Sequence, residues 1–171
     1  MQVIALVGNK GGAGKTTLAI NLASAFNELA TTVLLDADPQ GSTLQWFNIA
    51  GDECALEVAD ASIGVADQVR RVQDASYCVV DCPPSVHSEQ TRDALRISDL
   101  VIIPVQPSPL DLWASVHIET EVEKARAVNP DLRALLVINQ SEPRTRLSRL
   151  AADALRELSL PAASTAIHRR V

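Results

Sequence analysis

The chain has 171 residues, 47% of them hydrophobic and 21% charged, and 15 Lys and Arg against 21 Asp and Glu give a formal net charge of −6. That length suits a single domain spanning 1–171 with its own core and no need of a disulfide scaffold. The acidity argues against a general nucleic-acid binder. No apolar run approaches the roughly 20 residues of a membrane span, and the start MQVIALVGNK lacks a signal peptide's basic flank and cleavage site, so a cytoplasmic protein is expected.

Short runs rich in Val, Ile and Leu recur along the chain: Val3 to Val7, Thr32 to Leu35, Tyr77 to Val80, Leu100 to Val105 and Leu135 to Ile138. Each reads as a strand buried on both faces. Helical spacing occupies 15–29, 64–73, 88–97, 110–128 and 144–158. Strand and helix alternate, which predicts an α/β fold with a mostly parallel central sheet, helices on both faces and right-handed crossovers. Three cysteines, with Cys78 and Cys82 the closest pair and His87 nearby, read as buried thiols of a reducing compartment rather than a metal site.

Ligands of such open sheets sit beyond the carboxyl ends of the strands, so the residues that follow each strand are the informative ones. After the first strand comes Gly8-Asn9-Lys10-Gly11-Gly12-Ala13-Gly14-Lys15-Thr16-Thr17, after the second Asp36-Ala37-Asp38-Pro39-Gln40-Gly41, and after the third Asp81-Cys82-Pro83-Pro84. A glycine-rich loop that opens a helix turns backbone N–H groups around phosphate oxygens. Lys15 then reaches the β- and γ-phosphates, and Thr16 offers its hydroxyl to Mg²⁺. The G-x-x-x-x-G-K-[ST] pattern fails at one residue, because Asn9 stands where its first glycine belongs. A second lysine, Lys10, precedes the glycines.

These residues carry a resemblance. Lys10-Gly11-Gly12-Ala13-Gly14-Lys15-Thr16-Thr17 resembles the deviant Walker A motif of the ParA/MinD ATPases. Asp36-Ala37-Asp38-Pro39-Gln40-Gly41-Ser42 is similar to the motif after their second strand, and Val79-Val80-Asp81-Cys82-Pro83-Pro84 to their Walker B. The stretch from Asp99 to Asp111 is also similar to the small ParA proteins of plasmid partition and cargo positioning. With no helix-turn-helix ahead of the first strand, the match is to the class that lacks an operator-binding domain. Small ParA proteins usually continue past the stretch resembling Ala166 to Val171 into a final helix, which this sequence does not contain.

The resemblance implies a P-loop ATPase that binds ATP, ADP and Mg²⁺. Gly11, Gly12, Ala13, Gly14, Lys15, Thr16 and Thr17 would hold the nucleotide, and Thr16 and Asp81 the metal. Lys10 would cross a two-fold axis to the partner's phosphates, Asp36 would orient the attacking water, and Asn139 is similar to an adenine-reading position, although a strand-end Asn is also a common turn residue. Implied too are an ATP-dependent homodimer, a ParB-like or cargo adaptor that stimulates hydrolysis, nonspecific DNA as partner, nucleoid association and no membrane. Two readings stand beside it: a MinD-like regulator at a membrane surface, and a metabolic enzyme or reductase on the same fold.

Charge bears on the DNA expectation. Residues 1–121 hold 6 basic and 16 acidic side chains, whereas residues 122–171 hold 9 and 5. On a helix from about residue 144, Arg146, Arg149 and Arg156 would form a stripe, broken by Asp153, that Arg169 and Arg170 could extend into a phosphate-binding patch.

Overall fold

A computed structural model of the chain describes residues 1–51, 54–142, 145, 150, 153–155 and 158–169. Its elements run β1 (Gln2–Leu6), α1 (Lys15–Asn27), β2 (Thr32–Asp36), α2 (Ser42–Ala50), β3 (Glu57–Asp60), α3 (Val65–Arg71), β4 (Tyr77–Asp81), α4 (Glu89–Ile97), β5 (Leu100–Val105), α5 (Pro109–Arg126) and β6 (Arg133–Ile138). The described strands form one sheet of order β3-β2-β4-β1-β5-β6, and every pairing in it is parallel.

The side-chain period of two divides the core between the two faces. Leu6, Leu34 and Val79 point to one face, where they meet Ala19 and Ala23 of α1. These two alanines lie four residues apart, and their small side chains let the helix lie close on the sheet. Ala5, Val33, Leu35, Cys78 and Val80 point to the other face, against Ala94 and Leu95 of α4 and Ile118 and Val122 of α5. Helices therefore cover both faces, as the alternating pattern predicts. Local signals agree where they are strong: Ser88 caps α4 by accepting from Thr91 N, with Glu89 in the first turn and Arg96 in the last.

Two elements go beyond the sequence expectation, β3 and α2. Strand β3 is a four-residue edge strand whose residues are only half-buried or exposed, so it lacks the long apolar run that marks the central strands. Helix α2 buries only Thr43 fully. Of the helix expected over 144–158, Leu150 and residues 153–155 are helical and Leu155 is buried; Arg146, Arg149 and Arg156, like Arg170, lie outside the described residues. Past that helix the chain returns along the β6 edge through parallel bridges Leu136↔Ala162 and Ser141↔His168.

This topology positions the site. Strand β1 lies between β4 and β5, so the chain leaves it for one side of the sheet and later fills the other, and the crevice at that switch point falls where the β1–α1 loop begins.

Candidate functional site

The loop between β1 and α1 is held by its carbonyls. Gly12 O accepts from Gln106 Nε2 at 2.7 Å and from Gln140 Nε2 at 3.0 Å, Ala13 O from Asn139 Nδ2 at 2.8 Å, and Lys10 O from Lys15 Nζ at 3.2 Å. With the carbonyls fastened, a glycine-rich loop can present its N–H groups to an anion. Gly14 forms the N-cap of α1 at φ 93°, a left-handed conformation that favours glycine. Among the described residues no side chain caps that helix end, which leaves its positive end to a ligand.

Lys15 is 7% exposed and folds back across Gly8, where a β-carbon would lie 3.3 Å from Lys15 Cδ. Burial lowers the pKa of its ammonium, an effect that the charges of Asp81 and Asp38 oppose. Lys10 stands exposed on the loop, as do Gly11 and Gly12, while Ala13 is buried.

The acidic residues arrive on neighbouring strand ends. Asp36 and Asp81 are register partners, the last residues of β2 and β4. Asp81 Oδ2 accepts from Thr16 Oγ1 at 2.7 Å and from Thr43 Oγ1 at 2.9 Å. Its Oδ1 is buried with no hydrogen-bond partner among the described residues. A buried polar atom left unpaired costs about 1–3 kcal/mol and marks a place for a ligand or ion. Burial pushes the Asp81 carboxyl up to about 6 against the donation from the two threonines, with the neighbouring Asp36 adding to the rise. A divalent cation would reverse that balance by favouring the ionised form.

Asp36 is the residue for which the motif after β2 implies a water-orienting role. It is fully buried, with Oδ1 accepting from Asp38 N at 3.1 Å and Oδ2 from Leu44 N at 3.0 Å. Both oxygens are thus engaged by backbone donors that shape the turn and the start of α2, and burial raises its pKa. Asp38 is half-buried; its Oδ1 accepts from Gln40 N at 3.0 Å and its charge reaches Lys15.

Beside Gly14 lies a cleft of about 610 Å³ between Thr17, Leu18 and Asn21 of α1 and a wall of Asn139, Gln140 and residues 167–169. The wall is closed by a 2.7 Å hydrogen bond between Ser141 Oγ and His168 Nδ1. Asn139 is 6% exposed and uses Nδ2 for Ala13 O and Oδ1 for Gln140 N, so part of its capacity serves the loop itself. Arg169, grouped by sequence with the DNA stripe, lines this cleft and lies 3.7 Å from Glu142.

Sequence reasoning missed Thr43, Gln106 and Gln140. A hydroxyl pair, Ser42-Thr43, directly after the acidic turn was the available signal for Thr43. The two glutamines carry no local signal, because only the sheet brings the ends of β5 and β6 to the loop.

Residues 4–171 match the CobQ/CobB/MinD/ParA nucleotide binding domain. The chain belongs to that family. Over 98% of its length it is 37% identical to the maintenance of carboxysome distribution protein A of Halothiobacillus neapolitanus, covering 79% of that protein. The chromosome-partitioning ATPase Soj of Thermus thermophilus is 30% identical over 90% of this chain and 75% of its own length. In fold, the chain superposes with a TM-score of 0.86 on cobyrinic acid a,c-diamide synthase from Mycobacterium smegmatis, solved with ADP and magnesium, at 22% identity, covering 99% of this chain and 87% of that one. The family and its relatives mark this chain as a small ATPase of the ParA type. Among the described residues no helix of this ParA-type domain is long and apolar enough to cross a membrane.

Proposed function

We propose that the chain is an Mg²⁺-dependent ParA-type ATPase that closes into a homodimer on ATP, binds DNA without regard to sequence and positions an intracellular cargo. The cargo is a plasmid, a chromosome or a body of the kind named in the carboxysome-distribution relative. A ParB-like or cargo-bound adaptor accelerates its turnover. The observation that carries this reading is the Asp81 carboxylate, sealed below the loop with Thr16 on one oxygen and, among the described residues, no donor on the other.

That donor set fits Mg²⁺, which prefers hard oxygens and takes one or two protein ligands beside phosphates and water. Thr16 and Asp81 would hold the ion, and bound there it neutralises charge on the β- and γ-phosphates. Gly11 to Thr17 receive the phosphates, and Lys15 adds a partly desolvated cation whose field is strengthened by burial. Lys10, exposed and not needed for its own nucleotide, crosses a two-fold axis to the phosphates of the second copy. The cleft beside Gly14 takes the base, with Asn139 at its wall.

Asp38 rather than Asp36 orients the attacking water. Asp36 is fully buried with both oxygens accepting backbone N–H groups, whereas Asp38 is partly exposed and lies within the field of Lys15. The basic balance of residues 122–171 supports contact with nucleic-acid phosphate. Phosphate release from ATP, measured with Mg²⁺ and with EDTA, tests the enzyme: turnover that needs Mg²⁺ and is lost in Lys15→Ala is expected, and equal release in EDTA would remove the metal from the reading.

A further inference from the structure

Thr43 has no counterpart in the phosphate-binding loop, yet it is fully buried and donates to the same Asp81 oxygen as Thr16. It sits in the first turn of α2. That turn is fastened twice to the carboxylates at the rim, by Thr43 Oγ1 on Asp81 and by Leu44 N on Asp36. The N-cap itself is Gly41, at φ 65° and without a side-chain cap, so Asp36, accepting from Leu44 N, supplies what a capping residue ordinarily would. Farther along α2, Trp46 and Ala50 line a groove of about 550 Å³ against Ser24 and Asn27 of α1.

We infer that Thr43 is a positioning residue that ties the Asp81 carboxylate to α2, so that Mg²⁺ and nucleotide at the loop alter the groove between α1 and α2. This rests on the reading of Asp81 as the metal-holding carboxylate. Asp81 Oδ2 is shared by hydroxyls from two helices while Oδ1 has no donor among the described residues. Turning the carboxylate towards a cation therefore changes what the Thr43 hydroxyl can reach. Thr43 is fully buried, so losing its acceptor would leave the hydroxyl unpaired, and the first turn of α2 follows the carboxylate to keep this bond. Trp46 lies three residues on, less than one helical turn, in a nine-residue helix that transmits the shift as a short rigid body.

Trp46 is its own reporter. The chain has two tryptophans, and the other, Trp113, is exposed on α5, so Trp113→Phe isolates the signal. In that background Mg²⁺ is titrated at saturating ADP while Trp46 emission is followed, and Tm is measured with and without ADP to report binding separately. The expected result is an Mg²⁺-dependent change in Trp46 emission that Thr43→Ser retains. Thr43→Val, which keeps the shape and removes the hydroxyl, should lose most of it while still gaining Tm with ADP. If Thr43→Val does not fold, the same titration of Thr43→Ala decides. An unaltered emission change without the hydroxyl, or none in Trp113→Phe when Tm shows Mg²⁺ and ADP bound, overturns the coupling and leaves the nucleotide site standing. Absence of any ADP-induced rise in Tm overturns both.

Discussion

The side-chain amide of Asn139 occupies the space that a β-carbon on Gly14 would need, and it donates to Ala13 O at 2.8 Å. The end of β6 thus braces the turn from which α1 starts, across 126 residues of sequence. Gly14→Ala must expel that amide and also hold φ 93° with a β-carbon. It should cost about 1–3 kcal/mol, several degrees of Tm, and abolish the nucleotide-induced rise in Tm. Asn139→Ala removes the brace without the clash and should weaken nucleotide binding while leaving the loop able to form. Thermal scans of both variants with and without ADP check the pair.

Asp36 and Asp38 should separate fold from turnover. Asp36→Ala leaves the N–H groups of Asp38 and Leu44 without their acceptor, undoing the start of α2. A loss of about 1 kcal/mol in urea unfolding is expected, as for removal of a helix cap. Asp38→Ala should leave the unfolding midpoint nearly unchanged, keep ATP binding and lose phosphate release. Full turnover in Asp38→Ala would return the water-orienting role to another group.

Stability should depend on pH through the carboxylates at the rim. The folded Asp81 carboxyl sits at about 6, raised by burial. Between about pH 4 and pH 6 the native state therefore retains a proton that the unfolded chain has released. Stability then falls as pH rises through that window, and Asp36, also raised by burial, acts in the same direction. Urea unfolding across that range should show this slope, and Asp81→Asn should flatten much of it. Mg²⁺ competes with that proton, so the Mg²⁺-dependent part of nucleotide binding should weaken below about pH 6.

The parallel α/β architecture and the loop were legible because their signals are local. Val3 to Val7 followed by glycines and Lys15-Thr16 needs no distant residue to be read, and the apolar strand ending in Asp81 is equally plain. What stayed hidden depends on tertiary approach. Strand β3 carries only Glu57-Val58-Ala59-Asp60, too short and too polar to announce a strand until β2 pairs with it. Thr43 reads as an ordinary helix-start threonine until β4 brings Asp81 beneath it. Asp36 shows the converse: its motif marks an important carboxylate, but only the fold reveals that backbone donors engage both oxygens. By sequence Arg169 belongs with the phosphate-binding stripe, and its place on the cleft wall follows from the return of the chain along β6.

Any DNA binding should be of the phosphate type. The expected behaviour is ATP-dependent retention that is indifferent to sequence and falls steeply with salt as counterions are released. Arg146→Glu with Arg149→Glu should weaken it without altering the ADP-induced rise in Tm. Retention by that double variant equal to the parent's at two salt concentrations would move the DNA face elsewhere.

ATP-driven pairing through Lys10 is tested most directly by light scattering of Asp38→Ala and Lys10→Ala, each with Mg²⁺ and either ATP or ADP. Asp38→Ala should double its mass with ATP and remain single with ADP, while Lys10→Ala should bind ATP, as its Tm reports, and remain single throughout. A mass for Asp38→Ala that is the same with both nucleotides, or a doubled mass for Lys10→Ala with ATP, would contradict it.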